Sequence, residues 1–125
     1  MRVAVVVPAY NAARHLEGVV QRILAAPPSD LERIVVVDDG SRDATGTLAR
    51  ALAARHAELL VIQRPANGGY GAAMKDGLAA AKAAGAEVVA TVHADGQYGP
   101  ELLGDLVTAL ERRGLDLLQG SRIAG

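Results

Sequence analysis

Three short runs of mostly β-branched residues constrain the fold of this 125-residue chain more than any other feature. The runs at 3–7, 34–37 and 88–92 consist of Val, Ile and Ala with a single Thr. Apolar and polar residues do not alternate in them, which is typical of strands covered on both faces, as in a parallel sheet. Runs at 59–62 and 115–118 are candidates for two more strands, although the second is too short and Leu-rich to assign from periodicity.

Between these runs, apolar residues are spaced as on one face of a helix. The first stripe, at 16–24, follows Asn11, which is a candidate N-cap. The second stripe, at 48–52, has Ser41 or Asp43 as its candidate cap. Two helices that alternate with the first three strands are therefore expected.

Two further helical segments complete the pattern. An Ala-rich segment at 71–84 predicts a helix that packs closely on a sheet, and a Leu-rich stripe at 102–110 predicts a fourth helix. The β-α alternation predicts a three-layer α/β/α, Rossmann-like domain over 1–125 with a mainly parallel sheet. Because no helical pattern follows the last strand, this fold is expected to be C-terminally incomplete.

The composition excludes several classes of protein. Lys and Arg number 13 against 14 Asp and Glu, so the basic excess of a nucleic-acid binder is missing. Without cysteine, the chain has neither disulfides nor thiolate metal sites. No apolar run approaches the ~18–20 residues of a membrane span, and the N-terminus lacks a signal-peptide layout. We therefore expect a cytoplasmic chain without a nucleic-acid partner.

Polar residues and glycines follow four of the expected strands. They occupy the segments 8–11, 38–41, 64–69 and 93–97. In doubly wound sheets the ligand lies beyond the carboxyl ends of the strands, where the strand order reverses. We expect these segments to form one binding site at a single edge of the sheet.

Asp38 and Asp39 follow the second expected strand. Dinucleotide-binding folds place an acid here because an ionised carboxylate accepts hydrogen bonds from ribose hydroxyls. The same residues followed by Gly40 and Ser41 would also make an ordinary turn and helix cap. A nucleotide contact and a local turn both remain open for this pair.

Three glycines within 67–71 open the third expected helix. Such a segment lets the backbone approach a phosphate at a helix N-terminus, although glycines also make ordinary turns. Lys75, one turn into the helix, is a candidate phosphate contact or simply a solvated side chain.

His93, Asp95 and Gln97 follow the fourth expected strand. Because alternate residues of a strand point to one side, we expect the side chains of all three to converge. Their imidazole, carboxylate and amide groups suit Mn²⁺ or Mg²⁺ better than structural zinc, and such a cation would stabilise a departing diphosphate. A turn with a capping Asp is the alternative. His15 and His56 are expected to be solvated on helix surfaces, without a role.

Four sequence blocks together resemble family-2 glycosyltransferases with the GT-A fold. The blocks are VVVPAYN at 5–11, VVDDGSRDAT at 36–45, NGGYGAA at 67–73 and ADGQYGPE at 94–101. They cover essentially the whole chain in the order and spacing of the family. The final GSRIAG is similar to the polyprenyl-phosphate branch, the dolichol-phosphate mannose synthases and their bacterial relatives.

The resemblance implies transfer of a sugar from a nucleotide diphosphate sugar, GDP- or UDP-linked, with a divalent metal bridging the diphosphate. It implies that Asp39 contacts the base or ribose. The other residues that it places around the nucleotide and diphosphate are Pro8, Tyr10, Asn11, Asn67, Gly69 and Lys75.

The catalytic and metal-binding roles implied by the resemblance fall near the C-terminus. Asp95 is the second acid of the family's Asp-x-Asp motif and the principal metal ligand, with Gln97 assisting. Arg122 is implied to approach the phosphates of donor or acceptor, which its guanidinium suits. His93 replaces the first acid of the motif, so the metal affinity or the choice of metal is expected to differ from the family's. His93 and the short length also motivate the alternative of a non-catalytic nucleotide-sugar-binding module, a degenerate or truncated relative.

The expected acceptor is a polyprenyl phosphate, which would bring the chain to the inner face of the membrane. A phosphate acceptor is already ionised and needs positioning, whereas a sugar hydroxyl needs a general base. The region of the last strand is a candidate surface for homo-oligomer formation. A nicotinamide-dependent oxidoreductase is disfavoured, because the first strand is not followed by G-x-G-x-x-G.

Overall fold

The computed structural model describes residues 2–27 and 30–94 together with the strand at 117–119. The four apolar runs at 3–7, 34–37, 59–62 and 88–92 correspond to strands, and the unassigned run at 115–118 overlaps a fifth. The helices are α1 (Leu16–Ala25), α2 (Thr45–Arg55) and α3 (Tyr70–Ala83). The strands are β1 (Val3–Ala9), β2 (Leu31–Asp38), β3 (Leu59–Gln63), β4 (Val88–Thr91) and β5 (Leu117–Gln119).

The five strands form one sheet in the order β3-β2-β1-β4-β5, and all paired strands are parallel. The chain builds outward from β1 to β3 and then crosses to the other side of β1 to add β4. The strand order therefore reverses between β1 and β4, which is where a ligand crevice is expected in such sheets.

Both faces of the sheet are buried, as the uninterrupted apolar runs predicted. Val3, Val5 and Val7 belong to a cluster that contains the apolar residues of α1 and α2. Ala4 and Val6 belong to a second cluster with residues of α3. Alternate residues of β1 thus face opposite helical layers, which confirms the three-layer α/β/α architecture.

Helix α3 lies close to the sheet because it carries Gly77 at the contact. A Cβ at this position would lie 2.5 Å from Cγ1 of Val6 and 3.2 Å from Cγ2 of Val37. Ala73 and Ala81 are also fully or almost fully buried on this helix. Small side chains allow the backbone of α3 to approach the strands, as the Ala-rich pattern predicted.

The prediction that Asn11 caps α1 is wrong. The helix begins at Leu16, and Asn11 has a left-handed φ of 50°. Its side-chain oxygen accepts a hydrogen bond from the backbone N–H of Arg42, 31 residues away. The prediction that Ser41 or Asp43 caps α2 is also wrong, because the N-cap is Ala44 and no side chain caps the helix. Asp43 instead accepts from the backbone N–H of Thr45, the first residue of α2, at 3.0 Å.

Two predictions about the architecture stay untested. The helical stripe at 102–110 lies outside the described residues. The assignment of 1–125 to one domain stays a prediction. Among the described helices, none has the length and apolar character needed to cross a membrane.

Candidate functional site

A cavity of about 360 Å³ opens at the carboxyl edge of the sheet, beside the reversal of strand order between β1 and β4. Described residues after β1, β2, β3 and β4 all contribute to its wall, so these segments meet at one edge of the sheet as expected. That they bind a ligand stays a prediction. The predicted site residues that line it are Pro8, Tyr10, Asn11, Asp39, Asn67, Gly69 and His93.

Hydrogen bonds join the segment after β1, which forms one wall of the cavity, to residues that follow β2. The backbone N–H of Asn11 donates to Oγ of Ser41 at 2.9 Å, and that of Ala12 donates to Oγ1 of Thr45 at 2.8 Å. Thr45 is fully buried, and its hydroxyl in turn donates to Asp43. Side chains that follow β2 therefore determine how the Asn11 wall faces the cavity.

Asp39 fastens the segment after β3 in the same way. Its Oδ1 accepts from Nε of Arg64 at 2.9 Å and from the N–H of Gly68 at 3.0 Å, while Oδ2 accepts from the N–H of Gly69 at 2.8 Å. The side chain lines the cavity although the residue is only 4% exposed. Because a carboxylate has about four acceptor positions, one remains for a ligand hydroxyl or N–H.

Arg64 connects Asp39 to α3. Its Nη1 pairs with the carboxylate of Asp76, and hydrogen bonding to Asp76 raises the pKa of Arg64 above its ordinary value. The sequence analysis included Arg64 in the segment after the third strand but proposed no role for it. The available signal was an arginine directly after a strand, followed by glycines and by an acid in the second turn of the next helix.

Two glycines at this edge are required by the backbone. Gly69 precedes α3 with a φ of 90°, and Gly40 has a φ of 71°. A Cβ on Gly40 would lie 2.5 Å from the carbonyl carbon of Ala66. The segments after β2 and β3 thus pass too close for a side chain between them.

Tyr70 and His93 form a stacked pair at the cavity. Their ring centroids are 5.4 Å apart with an interplanar angle of 3°. Both residues line the cavity, and the pair joins the first turn of α3 to the segment after β4. Tyr70 lay within a predicted block, but its role in the wall was not predicted.

The geometry expected for the metal ligands does not follow from strand alternation. Strand β4 ends at Thr91, so His93 is two residues beyond it, and Asp95 and Gln97 lie outside the described residues. Within residues 2–27 and 30–94, no three His, Asp or Glu side chains cluster closely enough to hold a metal. His93 alone does not make a metal site, and Mn²⁺ or Mg²⁺ stays a prediction.

Two predicted nucleotide contacts are not part of the cavity lining. Asp38 is 4% exposed and accepts a hydrogen bond from the N–H of Ser41 at 3.0 Å, which is the local-turn alternative. Lys75 is exposed on α3. Arg122, the predicted phosphate contact, lies outside the described residues.

The two histidines that were expected to have no role differ in position. His15 lines the cavity, because α1 begins one residue later and leaves His15 at the end of the β1–α1 segment. His56 ends α2, where its N–H donates to the carbonyl of Leu52. His15 is exposed, as expected, and its position at the cavity was not predicted because the helix start was placed too early.

Known proteins share this architecture. A mannosyltransferase from Pyrobaculum calidifontis in complex with GDP-Man and Mn²⁺ superposes with a TM-score of 0.73 at 30% identity, covering 87% of this chain and 32% of that one. S. aureus TarS 1–349 in complex with UDP superposes with a TM-score of 0.72 at 27% identity, covering 91% and 33%. The predicted GT-A fold class is thereby confirmed.

Curated relatives resemble the chain over nearly its full length. Polyprenol monophosphomannose synthase of Mycolicibacterium smegmatis is 38% identical, with 97% of this chain and 45% of the relative covered. Dolichol-phosphate mannosyltransferase of Pyrococcus furiosus is 35% identical, with 98% and 33% covered. The chain therefore spans less than half the length of these relatives, and its similarity to the polyprenyl-phosphate branch is confirmed.

The family model described as Glycosyl transferase family 2 matches residues 4–125. This match includes all four sequence blocks and every segment that lines the cavity. The chain belongs to glycosyl transferase family 2.

Proposed function

We propose that the cavity binds a nucleotide diphosphate sugar and that the protein transfers the sugar to a polyprenyl phosphate with inversion. The observation that carries the proposal is the cavity itself, at the reversal of strand order, with Asp39 and the N-terminus of α3 in or beside its wall. The names of the relatives, which are synthases and transferases of polyprenyl or dolichol phosphates, support the acceptor class.

The chemistry of the wall suits a nucleoside diphosphate. Tyr10 is 46% exposed at the cavity, and its ring offers a flat surface for a base. The remaining acceptor position of Asp39 suits a ribose hydroxyl or a base N–H. The N-terminus of α3, preceded by Gly69, presents backbone N–H groups and a partial positive charge to a phosphate.

A phosphate acceptor fits the lack of an unengaged carboxylate among the described residues of the wall. Among the described residues that line the cavity, Asp39 is the carboxylate, and three donors already engage it. In the proposed transfer, an acceptor phosphate oxygen attacks the anomeric carbon as the bond from that carbon to the diphosphate oxygen breaks. An ionised phosphate needs no deprotonation for this step, only alignment opposite the leaving group.

We further propose that Mn²⁺ or Mg²⁺ binds at Asp95, assisted by Gln97 and His93, and that Arg122 contacts a phosphate. Such a cation would neutralise charge on the leaving diphosphate. Support comes from the Pyrobaculum mannosyltransferase, whose structure contains GDP-Man and Mn²⁺. A lipid-linked acceptor would place the protein on the cytoplasmic face of the membrane as a peripheral protein.

Isothermal titration calorimetry with GDP and UDP, each with and without Mn²⁺, tests the donor site. We expect one nucleotide to bind more tightly when Mn²⁺ is present. Asp39→Asn should weaken its binding about tenfold or more, because an amide offers one acceptor oxygen and sets its NH₂ group against the loop donors. Glu17→Gln, an exposed carboxyl on α1 that pairs with Arg55, is the matched control and should bind as the wild type does. No binding of either nucleotide would contradict the donor-site proposal.

A nucleotide-sugar-binding module without turnover is the second candidate. It is favoured by His93, which stands where the family has the first acid of its metal-binding motif. Release of nucleoside diphosphate from GDP-mannose and UDP-sugars in the presence of a polyprenyl phosphate separates the two candidates. Metal-dependent release supports the transferase, whereas tight binding without release supports the module.

A further inference from the structure

We infer that Arg64 is a positioning residue for the donor site and that it acts through Asp39. The chain of contacts runs from Asp76 on α3 to Arg64, then to Asp39 at the end of β2, and from there to the amides of Gly68 and Gly69. Asp39 and Gly69 line the cavity, whereas Arg64 and Asp76 do not. The arginine therefore shapes the wall without reaching the ligand.

The contacts require a guanidinium group. Nε of Arg64 donates to Asp39 while Nη1 pairs with Asp76, so one planar fork bridges two carboxylates. Nη2 lies over Gly68, where a Cβ would come within 2.6 Å of it. A lysine ammonium is a point charge on a flexible stem and does not reproduce this arrangement.

The ion pair between Arg64 and Asp39 is largely buried, which strengthens it. The Arg64 side chain is 22% exposed and that of Asp39 is 5% exposed, so water screens this pair less than it screens a surface pair. Without Arg64, Asp39 keeps two backbone donors but loses its cationic partner. We expect the carboxylate of Asp39 to move toward water and to release the two glycine amides. This movement would displace both the cavity wall and the Asp39 oxygen that is left to accept a hydrogen bond from a ligand.

Asp76 holds the other end of the fork. Its pairing with Arg64 ties the position of the loop after β3 to the first turns of α3. Removing this carboxylate should leave the Arg64–Asp39 contact in place but free to rotate. The expected effect is smaller than that of removing Arg64 and has the same sign.

The role of these contacts at a donor site rests on the proposed function. The test therefore includes a measurement that needs no ligand. Amide hydrogen exchange in the 125-residue chain should be at least about tenfold faster at Gly68 and Gly69 in Arg64→Gln, since a charge-assisted bond is lost. Asp76→Asn and Arg64→Lys should lie between this variant and the wild type. Arg55→Gln, which removes the exposed ion pair with Glu17, should leave these two amides unchanged.

Exchange in the buried strands separates positioning from general destabilisation. If Arg64→Gln accelerates exchange at Val5 and Val36 as much as at the glycines, the residue is merely structural and the inference is overturned. Unchanged glycine exchange, or full retention of protection by Arg64→Lys, also overturns it. These outcomes hold whether or not the wild-type chain binds a nucleotide.

A double-mutant cycle connects the exchange result to the donor site. Arg64→Gln should raise the Kd for the nucleotide bound by the wild type about tenfold, and it should add little in the Asp39→Asn background, because the two residues act as one unit. Additive effects would show that Arg64 does not act through Asp39. If the wild-type chain binds no nucleotide, the donor-site proposal fails, while the exchange measurement still decides whether Arg64 holds the loop.

Discussion

Removing the hydroxyl of Thr45 should destabilise the fold, because a buried backbone N–H would lose its hydrogen-bond acceptor. Thr45 is fully buried at the start of α2, and its Oγ1 is the acceptor for the N–H of Ala12 at 2.8 Å. Thr45→Val keeps the shape and the β-branched character of the side chain. The backbone bond from the N–H of residue 45 to Asp43 is also kept, so the substitution isolates the hydroxyl.

The magnitude follows from the group that loses its partner. Ala12 is 7% exposed, and its N–H would be left buried without an acceptor, which costs about 1–3 kcal/mol. The carboxylate of Asp43 is exposed and takes water in place of the hydroxyl, so that contact adds little. We expect the free energy of unfolding to fall by about 2 kcal/mol, which is roughly 8 °C in Tm for a domain of this size.

Urea denaturation of the two purified proteins, followed by circular dichroism, measures this difference. Thr47→Val is the matched control, because Thr47 is exposed one half-turn further along α2 and should change stability by less than about 0.5 kcal/mol. Equal effects of the two substitutions would refute the assignment of Thr45 as the fastening between the two segments. The cavity wall should loosen together with the fold, so the Kd of the proposed nucleotide ligand should rise in Thr45→Val and not in Thr47→Val.

Two further predictions concern acid stability and glycine geometry. The Thr45 hydroxyl, with backbone N–H groups, lowers the pKa of Asp43 below 3.8. The ionised Asp43 therefore stabilises the fold above pH 3.8, and this contribution is lost as the pH falls through the lowered pKa. Between pH 6 and 2, the urea midpoint should drop more steeply in the wild type than in Asp43→Asn. Gly40→Ala should lower the free energy of unfolding by about 2 kcal/mol or more, because φ is 71° and the methyl group would clash with the backbone of Ala66. Gly18 lies on α1 with open space around it, so Gly18→Ala should raise the free energy of unfolding by up to about 1 kcal/mol. Chemical denaturation measures both changes. Equal effects at the two glycines would contradict this account.

The elements of the fold were predictable because each carries a local signal. The valines of β1 and β2 have no polar alternation, and the buried stripe of α1 repeats with helical spacing. The Ala-rich pattern likewise anticipated the close approach of α3. The order of the strands has no such signal, since nothing local to Val88–Thr91 indicates that this strand pairs with β1.

The candidate site was predictable as a set of segments but not as a set of contacts. Asn11 was misassigned because its partners, Ser41 and Arg42, lie 30 and 31 residues away. Asp39 was chosen as a ligand contact, and the structure shows that much of its hydrogen-bonding capacity is used by the loop after β3. Arg64 was passed over because its significance depends on two carboxylates that only the folded chain brings together.

The central place of β1 also bears on how the chain is made. Residues 3–9 are made before the other strands, yet their second neighbour in the sheet, Val88–Thr91, is synthesised about 80 residues later. At about 5–20 residues per second, the delay is roughly 4–17 s. During that time β2 can cover one edge of β1, while its other edge, apolar on both faces, stays open to association with other nascent chains. Synthesis of β4 therefore removes an open edge from the centre of the sheet.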